Sequence, residues 1–358
     1  MKHLVVMAAG TGGHVIPGLA VAAEMRRRGW SVSWLGTPAG LENKLVPPTG
    51  IVLDRISFAG MRGKGFVGNV LGAMRLLIAF RTCSRLLVRR RADAVLGMGG
   101  YVCFPGGWMA WLQGRPLLLV NADASLLLSN KALRFAARKI AFGFAGASAK
   151  AMGTKAVVTG NPVRIEIEAV APPAQRYAGR SGALRLLVVG GSLGARVLND
   201  CVPQAIALLP GADRPQVTHQ TGEASHQSVR SAYAATGTTA EVLPFIDDMA
   251  ERLGQCDLIV CRAGAITVSE LCAAGVAAVL VPLVVSTTAH QRDNAAWMAE
   301  HDAAIHLPQS ELSPKKLADL IAGLTRDALL AMATKARSLA RPHAAARVAD
   351  EIEAMVAA

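Results

Sequence analysis

The stretch 257–275 has the composition of a ligand-binding turn, and it reads DLIVCRAGAITVSELCAAG. Residues 257–261 are mostly apolar and β-branched, which predicts a short strand buried on both faces. Residues 262–264 form a turn, and a helix is expected from Ala265 to about Ala274. A helix that begins directly after a strand presents free backbone N–H groups at the positive end of its dipole. The stretch therefore predicts an anion site at the carboxyl edge of a parallel sheet.

Glu270 lies about one turn into this predicted helix, and two interpretations of it are open. In the first, Thr267 and Glu270 form a capping box of the T-x-x-E type and only stabilise the helix. In the second, the Glu270 carboxylate accepts hydrogen bonds from two ribose hydroxyls, beside phosphates bound at the helix end. The motif alone does not decide between structure and binding.

A second glycine-rich turn follows the first predicted strand, residues 3–8, and it reads AGTGGH at 9–14. Pro17 is expected in the first turn of the next helix, which Gly29 ends. The next strand, 31–35, has no carboxylate after it, and the glycine spacing is not G-x-G-x-x-G. Both features argue against a dinucleotide site, so a nicotinamide enzyme is the weaker alternative.

Length and composition limit the class of protein. A chain of 358 residues exceeds the ~250–300 at which one core stops growing, so we expect two domains. Hydrophobic residues make up 52%, which excludes a disordered chain, and aromatic residues only 4%, which argues against base-stacking nucleic-acid modules. The six cysteines lack metal-ligand spacing and are expected to be reduced and mostly buried. No signal peptide is predicted, because the apolar stretch before the first glycines is too short. No transmembrane helix is predicted either, because Gly275 and Pro282 interrupt the uncharged run 271–289.

The two halves of the chain begin alike. Residues 186–194, LLVVGGSLG, echo residues 4–13, LVVMAAGTGG: in each, an apolar strand leads into a glycine turn. We therefore predict two similar α/β domains whose ligand-facing edges form a cleft between them. The composition of 171–182, APPAQRYAGRSG, predicts a linker or hinge.

Positive charge is concentrated in the first half of a chain whose formal net charge is +13. Residues 55–91 contain nine Lys or Arg and no Asp or Glu. This favours an anionic partner, either nucleic acid or a membrane surface, although an ordinary solvated basic face is equally compatible. Apolar residues recur there at helical spacing, which is typical of a helix packed on a sheet and also of one that faces a membrane: Val67, Val70, Leu71, Met74, Leu77 and Ile78.

Eight motifs in order carry a family resemblance. They are GTGGHVIPGLA (10–20), GMRGKG (60–65), GMGGYV…PGG (97–107), GNPVR (160–164), GGSLGAR (190–196), FIDDM (245–249), CRAGAITVSE (261–270) and HQ-x-x-NA (290–295). Together they closely resemble the MurG family, the membrane-associated bacterial transferases that add N-acetylglucosamine (GlcNAc) to lipid-linked N-acetylmuramic acid (MurNAc)-pentapeptide. The resemblance covers essentially the whole chain.

The resemblance implies a GT-B fold, in which two Rossmann-like, doubly wound domains face each other across a cleft. An acceptor and membrane-associated domain would span 1–163, a UDP-GlcNAc-binding domain 164–341, and a last helix, 342–358, would pack back on the first. The implied reaction inverts the anomeric carbon and moves GlcNAc from UDP-GlcNAc to the C4 hydroxyl of MurNAc in lipid I, giving lipid II for peptidoglycan. No cofactor and no metal is implied.

The same resemblance implies where the protein works and with what. Its partners would be UDP-GlcNAc, lipid I, the anionic inner-membrane surface and other cell-wall synthesis proteins, and no nucleic acid. Its location would be peripheral, on the cytoplasmic face of the bacterial inner membrane. Two further hypotheses remain: a related GT-B transferase acting on another lipid or glycolipid, and a non-catalytic membrane or nucleic-acid binding module.

The resemblance assigns the donor site position by position. Arg164 and Ser192 would lie near the diphosphate, the backbone of Ile246 near uracil, and Glu270 at the ribose. Gln291, with neighbouring His290, would meet the GlcNAc hydroxyls. The remaining donor-site residues are those of the turn at the helix start and those that line the cleft from the acceptor side: Ala265, Ile266, Thr267, Val268 and Ser269, and Thr11, Gly12 and Gly13.

His14 and Asp123 are the predicted catalytic pair. His14 lies next to a helix N-terminus, whose dipole disfavours imidazolium, so a neutral ring could take the proton of the acceptor hydroxyl. The alternative is that His14 only orients the loop or the sugar. Asp123 also belongs to the donor set, and if it meets His14 it would fix the tautomer of the ring. The predicted acceptor and membrane residues are Arg62, Lys64, Val67, Leu71, Met74 and Tyr101.

Three departures from the family pattern are visible. Where the family usually has HEQN, this chain has VNAD at 120–123, so that Asn121 replaces the glutamate and Asp123 the asparagine. Leu193 stands in GGSLGAR where the family has a polar residue. Residues 284–291, VVSTTAHQ, replace the family's DxxQQ-type loop.

Overall fold

The computed structural model describes residues 1–10, 12–58, 66–191, 194–283 and 289–357, and for 66–71 it describes the backbone alone. The positions outside it include several predicted site residues: Thr11, Arg62, Lys64 and Ser192, and the side chains of Val67 and Leu71. The chain divides into two compact units, Met1–Pro162 with His343–Ala358, and Val163–Pro342.

Within the described residues, unit 1 contains a seven-stranded parallel sheet in the order β3-β2-β1-β4-β5-β6-β7. Its strands are β1 His3–Ala8, β2 Ser31–Gly36, β3 Val52–Arg55, β4 Ala94–Gly99, β5 Leu117–Asn121, β6 Lys139–Phe142 and β7 Ala156–Val158. Its helices up to β7 are α1 Gly12–Arg27, α2 Glu42–Leu45, α3 Phe66–Arg89, α4 Cys103–Leu112, α5 Leu128–Leu133 and α6 Ala147–Ala151, with 3₁₀ turns at Pro47–Thr49 and Gly153–Lys155. Both faces of the sheet are covered by buried apolar side chains, as a parallel sheet requires.

Two expected boundaries in unit 1 were wrong. Helix α1 begins at Gly12, so Pro17 lies in its second turn and not in its first. The apolar run 93–96 predicts a strand that ends at Leu96, before the glycines, but strand β4 continues to Gly99. Gly12 and Gly13 are part of α1, whereas Gly99 ends its strand with a φ of +130°, a conformation that favours glycine.

Unit 2 contains, in the part of the chain that is described, a six-stranded parallel sheet in the order β10-β9-β8-β11-β12-β13. The strands are β8 Arg185–Val189, β9 Gln216–Gln220, β10 Ala240–Leu243, β11 Leu258–Cys261, β12 Ala278–Leu280 and β13 Ile305–His306. The helices are α7 Ile165–Glu168, α8 Pro173–Tyr177, α9 Arg196–Ala207, α10 His226–Ala235, α11 Met249–Gln255, α12 Ala265–Ala274, α13 His290–Ala299, α14 Pro314–Ala322 and α15 Arg326–Ser338, with 3₁₀ turns at Gly211–Asp213, Glu223–Ser225 and Gln309–Glu311. The expected helix after residue 264 is confirmed residue for residue.

The segment 171–182 is not a hinge, contrary to its composition. It contains α8, and the Tyr177 hydroxyl donates to the carbonyl of Asp257 at 2.6 Å. The Arg180 guanidinium pairs with the buried Asp257 carboxylate at 2.6 Å, and Arg176 donates to the carbonyl of Leu253 at 3.1 Å. These bonds fix the segment inside unit 2, and the units divide at residues 162 and 163.

The last helix, α16 Ala344–Ala357, belongs to unit 1, where it packs on α1. Val348 and Ile352 are fully buried in the same cluster as the β1 core. Arg28 joins the two helices: its Nη1 donates to Asp350 at 2.7 Å and to Glu353 at 2.8 Å. No helix in the described ranges combines the length and the apolarity needed to cross a bilayer.

We expect Arg28→Ala to lower the free energy of unfolding of unit 1 by about 2 kcal/mol, because hydrogen bonds to charged groups contribute on this scale. The matched control is Arg27→Ala, since that side chain is 73% exposed and pairs with Glu24 on its own helix. Its loss should be clearly smaller. Urea unfolding followed by tryptophan fluorescence measures both, and equal losses would show that Arg28 does not hold α16.

Candidate functional site

The order in which the chain adds strands to the sheet of unit 2 reverses between β8 and β11. From β8 the chain continues to β9 and β10 on one side, and from β11 it continues to β12 and β13 on the other. At such a switch point the two connections leave in opposite directions, so a crevice opens outside the carboxyl ends of the two strands. The chain leaves the sheet here at Gly190 after β8 and at residues 262–264 after β11.

A pocket of about 480 Å³ lies at this crevice. It brings together three of the sequence motifs, since its lining includes the glycine turn after β8, the turn after β11 and the start of α13: Gly190, Gly191, Gly194, Arg262, Gly264, Thr267, Leu283, Gln291 and others. The predicted anion site therefore coincides with a real concavity. Of the predicted donor residues that the structure describes, Thr267 and Gln291 line it.

The pocket is bordered by the N-terminus of α12. Gly264 is the N-cap residue and has no side chain with which to satisfy the first helical N–H groups. The first intrahelical bond is Val268 N–H to Gly264 carbonyl at 2.9 Å, so the N–H groups of Ala265, Ile266 and Thr267 precede it. Together with the helix dipole, these donors suit a phosphate or diphosphate.

The capping-box interpretation of Glu270 is wrong. Because α12 begins at Ala265, Thr267 is the third helical residue and Glu270 the sixth, and neither is at the helix end. Thr267 lines the pocket instead. The sequence motif T-x-x-E matched by coincidence of spacing, since Gly264 and not Thr267 has the extended backbone of an N-cap.

Glu270 and Arg164 lie together beside the pocket helix. The Nε atom of Arg164 donates to Oε1 of Glu270 at 3.0 Å, and Nη2 forms an ion pair with the same oxygen at 2.9 Å. The Glu270 side chain is only 14% exposed. Burial raises the pKa of Glu270, and the guanidinium offsets this only in part. Among the residues described, Oε2 has no hydrogen-bond partner, so one oxygen of a buried carboxylate remains open to a ligand.

The other predicted donor residues take separate positions. Gln291 accepts from the Leu283 N–H through Oε1 at 2.8 Å, which leaves its Nε2 as the donor for a ligand. The Ile246 side chain is buried at 3% exposure, so only its backbone can be offered, and it is absent from the described lining of the pocket. Val268 is fully buried, and the Ser269 hydroxyl bonds the Ala265 carbonyl inside α12.

Sequence reasoning missed three residues that line the pocket: Arg196, Arg262 and Gln309. Nη1 of Arg262 donates to Gln309 Oε1 at 2.9 Å and to the Val281 carbonyl at 3.0 Å. Burial lowers the pKa of Arg262, but an arginine remains charged in proteins. Arg196 and Arg262 lie inside quoted motifs, so their positive charge could have been used to predict that they line an anion site. Nothing in the sequence around Gln309 indicates a pocket residue.

Unit 1 has the same arrangement at its own switch point, between β1 and β4. His14 lies in the first turn of α1, after β1, and its ring packs on Gly99 at the end of β4. A Cβ at Gly99 would lie 2.5 Å from His14 Cδ2, and the φ of Gly99 is +130°, so only glycine fits there. Nδ1 of His14 lies 3.4 Å from the Ala9 carbonyl, an arrangement that places the proton on Nδ1 and leaves Nε2 as the base.

Three effects act on the pKa of His14. Burial lowers it and is the largest effect, and the contact with the Ala9 carbonyl and the negative charge of Asp123 both raise it. The pKa of His14 therefore lies below its ordinary value, and the ring is neutral near pH 7. Asp123 is close enough to act on His14 electrostatically, as expected for two residues that follow β5 and β1 at one sheet edge.

Asn121, where the family has glutamate, is fully buried and organises the loop after β5. Its Nδ2 donates to the carbonyls of Asp123 at 2.7 Å and Ser125 at 3.0 Å. Its Oδ1 accepts from the Leu127 N–H at 2.9 Å and from Asn130 at 3.1 Å. Asn121 therefore shapes the loop that carries Asp123, and its own polar atoms are turned away from solvent.

Unit 1 also exposes an apolar surface on α3 and α4, which we call the α3–α4 surface. Met74, Leu77 and Ile78 are 55%, 64% and 61% exposed on α3, and Trp111 and Leu112 are exposed at the end of α4. The expectation that this stripe packs on the sheet is wrong for these α3 residues, because Ala79, Cys83, Leu86 and Leu87 face the core instead. Tyr101 is 51% exposed after β4.

The six cysteines are all buried and unpaired, as predicted. Burial raises the pKa of each thiol, for example to about 12 for Cys83 and about 11 for Cys201, so all of them remain protonated. In the described part of the chain, no group of three or more His, Cys, Asp or Glu could hold a metal ion.

Comparison with known proteins agrees with both units. The glycosyltransferase family 28 N-terminal domain matches residues 4–142, and the family 28 C-terminal domain matches residues 185–352. A UDP-N-acetylglucosamine--N-acetylmuramyl-(pentapeptide) pyrophosphoryl-undecaprenol N-acetylglucosamine transferase from Methylibium petroleiphilum is 66% identical over 360 residues, covering 99% of this chain and 98% of its own. The enzyme of the same name from Chromobacterium violaceum is 64% identical, with 98% and 97% covered.

A solved structure gives the same result. The crystal structure of Acinetobacter baumannii MurG superposes with a TM-score of 0.86 at 37% identity, covering 99% of this chain and all of that one. The expected GT-B fold is thereby confirmed. The chain belongs to glycosyltransferase family 28, and within it to the MurG family of UDP-N-acetylglucosamine--N-acetylmuramyl-(pentapeptide) pyrophosphoryl-undecaprenol N-acetylglucosamine transferases.

Proposed function

We propose that this protein transfers GlcNAc from UDP-GlcNAc to the C4 hydroxyl of MurNAc in lipid I, with inversion at the anomeric carbon, and so forms lipid II. The observation that carries the proposal is the pocket at the β8–β11 switch point, where three motifs meet at the N-terminus of α12. Full-length relatives that are 64–66% identical and named for this reaction support it.

Unit 2 supplies a binding site suited to a sugar nucleotide. The N–H groups at the start of α12 and the Arg262 guanidinium face the pocket where the diphosphate would lie. The open Oε2 of Glu270 would accept ribose hydroxyls, and Nε2 of Gln291 would donate to GlcNAc. As the donor bond breaks, negative charge grows on UDP, and fixed dipoles and cations stabilise such charge without reorganising.

Unit 1 supplies the base. The bond between GlcNAc C1 and the β-phosphate oxygen breaks while C1 bonds to the acceptor oxygen, and UDP departs with the electron pair. The proton of the acceptor hydroxyl passes to Nε2 of His14. This nitrogen is unprotonated because the ring proton is on Nδ1, which faces the Ala9 carbonyl. Lowering the pKa of His14 by burial keeps this nitrogen free at neutral pH.

The direct test is transfer of radiolabelled GlcNAc from UDP-GlcNAc to a synthetic lipid I analogue, followed by linkage analysis of the product. A β-1,4 disaccharide is expected. A thermal-shift panel of UDP, UDP-GlcNAc, UDP-Gal, GDP-mannose and NAD tests the donor, because a ligand at 100 times its Kd adds ~2.7 kcal/mol. Stabilisation by NAD and not by UDP, or transfer only to a different lipid, would reject the proposal.

We also propose that the α3–α4 surface of unit 1 binds the anionic membrane, on the cytoplasmic face where lipid I would be met. Leu77, Ile78 and Trp111 offer exposed apolar area, and Arg75, Arg81, Arg85 and Arg89 are exposed on the same helix as the first two. A hollow of about 320 Å³ at the end of α3 is lined by Arg55, Arg85 and Arg89 among others. Apolar insertion beside basic residues is the pattern of peripheral membrane binding.

If Glu270 holds the ribose, Glu270→Ala should weaken UDP-GlcNAc binding by roughly 1.5–3 kcal/mol, the scale of hydrogen bonds to a charged group. Because burial raises the pKa of Glu270, donor affinity in the unmodified protein should fall on acidification at a pH above the ordinary glutamate range. Titration calorimetry across pH measures both effects.

A 2′-deoxyribose donor serves as the internal control for Glu270, since the variant should lose little further affinity for it. Glu251→Ala, on the neighbouring helix α11, is the matched variant and should bind UDP-GlcNAc normally. If Glu270→Ala leaves donor affinity unchanged and only lowers the Tm, the role of Glu270 is to anchor Arg164.

For the base, His14→Ala should lower kcat by ~10²–10⁴ with the donor KM little changed, the usual scale of general-base assistance. Asp123→Asn should cost less, and it should move the acidic limb of the kcat pH profile to lower pH, because the charge of Asp123 raises the pKa of His14. The double variant should be strongly non-additive. A changed donor KM with an unchanged pH profile in Asp123→Asn would make Asp123 a sugar contact.

Co-sedimentation with vesicles tests the membrane proposal. Binding should rise with the anionic lipid fraction and fall with salt, and Arg81→Glu and Arg85→Glu should each weaken it at least about fivefold, since one basic residue near the surface contributes ~1 kcal/mol. Lys315→Glu, an equal charge change on unit 2, should have a smaller effect. Equal binding to neutral vesicles at high salt would contradict the electrostatic part.

A further inference from the structure

One buried carboxylate in unit 1 has no role in the function proposed above. Glu42 begins the short helix α2 and is fully buried. Its Oε1 accepts from the backbone N–H and the hydroxyl of Thr37, both at 2.7 Å. Its Oε2 accepts from the backbone N–H of Gly10 at 3.0 Å. Glu42 thus joins the loop after β2 to the glycine turn after β1, which leads directly into the start of α1 with His14.

The surrounding backbone is shaped around this carboxylate. A Cβ on Gly40 would overlap Oε2, and a Cβ on Gly36 would lie 2.6 Å from Cγ of Glu42. The Leu41 N–H donates to the Gly10 carbonyl at 3.0 Å, so that Gly10 is held through both its N–H and its carbonyl. Asn43 closes the loop through the carbonyls of Thr37 at 2.8 Å and Gly40 at 2.9 Å. Two glycines thus leave room for the Glu42 side chain, and three donor groups bind its carboxylate.

Hydrogen bonding keeps Glu42 ionised despite its burial. Burial alone raises the pKa of Glu42, but the bonds from Thr37 and Gly10 outweigh it and hold the pKa below its ordinary value. A carboxylate only accepts hydrogen bonds, and each of its neighbours here is a donor. The three bonds to the Glu42 carboxylate, which we call the Glu42 clamp, are therefore complete at neutral pH, where the His14 ring is neutral as well.

We propose that Glu42 is a positioning residue for the transfer reaction: it fixes Gly10 and thereby sets the place of His14 at the start of α1. Three residues separate Gly10 from His14, so a shift of the turn moves the imidazole relative to Gly99 and to the acceptor hydroxyl. Displacement of a catalytic group by about 1 Å costs up to ~10²-fold in rate. The proposal rests on the base role of His14 given above.

The test uses an isosteric change in the full-length protein. In Glu42→Gln, the side-chain oxygen can keep both Thr37 bonds, but the amide –NH₂ then faces the Gly10 N–H, and two donors repel. Gly40→Ala perturbs the same bond from the other side, because its Cβ displaces Oε2. Thr37→Val is the control, since it removes only the hydroxyl bond and leaves Gly10 held.

We expect Glu42→Gln and Gly40→Ala to lower kcat about 10- to 100-fold. The donor KM and the Kd for UDP should change less than about twofold, because the nucleotide pocket belongs to unit 2. Thr37→Val should keep kcat within about twofold. Release of the turn exposes His14, so its pKa should rise toward its ordinary value and the acidic limb of kcat should move to higher pH. A loss of stability alone would not move that limb.

Hydrogen exchange at the Gly10 amide gives a readout that does not depend on activity, and it should accelerate in Glu42→Gln and not in Thr37→Val. A folded Glu42→Gln with normal kcat and pH profile would overturn the proposal, as would a parallel loss of UDP affinity. If the unmodified protein shows no transfer to lipid I while the Gly10 amide still responds to Glu42→Gln, the result rejects the proposed function. It does not reject the role of Glu42 in holding Gly10.

Discussion

The constraint on which each unit depends is the reversal of strand order in a parallel sheet. Where two neighbouring strands send their connections to opposite sides, neither connection can cover the carboxyl ends, and a crevice lined by backbone N–H groups results. In unit 2 this happens at β8 and β11, and in unit 1 at β1 and β4. The starts of α1 and α12, His14 and the pocket of unit 2 all lie at these two reversals.

Two buried glutamates illustrate how the same energetic cost is met in opposite ways. Glu42 receives three donors from its own unit, and these outweigh burial and lower its pKa. Among the residues described, Glu270 is contacted by the Arg164 guanidinium alone, through Oε1, and burial still raises the pKa of Glu270. A carboxylate that is fully satisfied by the protein serves the protein's geometry. One that is left partly unsatisfied is stabilised further when a ligand supplies hydroxyl donors.

The features that could be predicted from the sequence are those that short-range patterns determine. The buried strands, the helix from Ala265 to Ala274 and the pairing of glycine turns with strand ends follow from periodicity and residue type. Prediction from the sequence failed where long-range contacts override composition. Segment 171–182 is rich in Pro and Gly, which predicts a hinge, yet Tyr177 and two arginines anchor it to the β11 region. Glu42 and Gln309 could not be identified from the sequence, because both lie outside the quoted motifs and each binds a partner that is distant in the chain, Gly10 and Arg262 respectively.

The replaced residues after β5 show how one loop can keep its charge while changing the residue that bears it. The family's HEQN has a carboxylate at the position of Asn121 and a neutral amide at that of Asp123, and this chain reverses the two. Here Asn121 donates to the carbonyls of Asp123 and Ser125, which an ionised glutamate cannot do. The negative charge has moved two residues along, to a position from which it raises the pKa of His14. The loop after β5 thus keeps one carboxylate, although neither position keeps its residue.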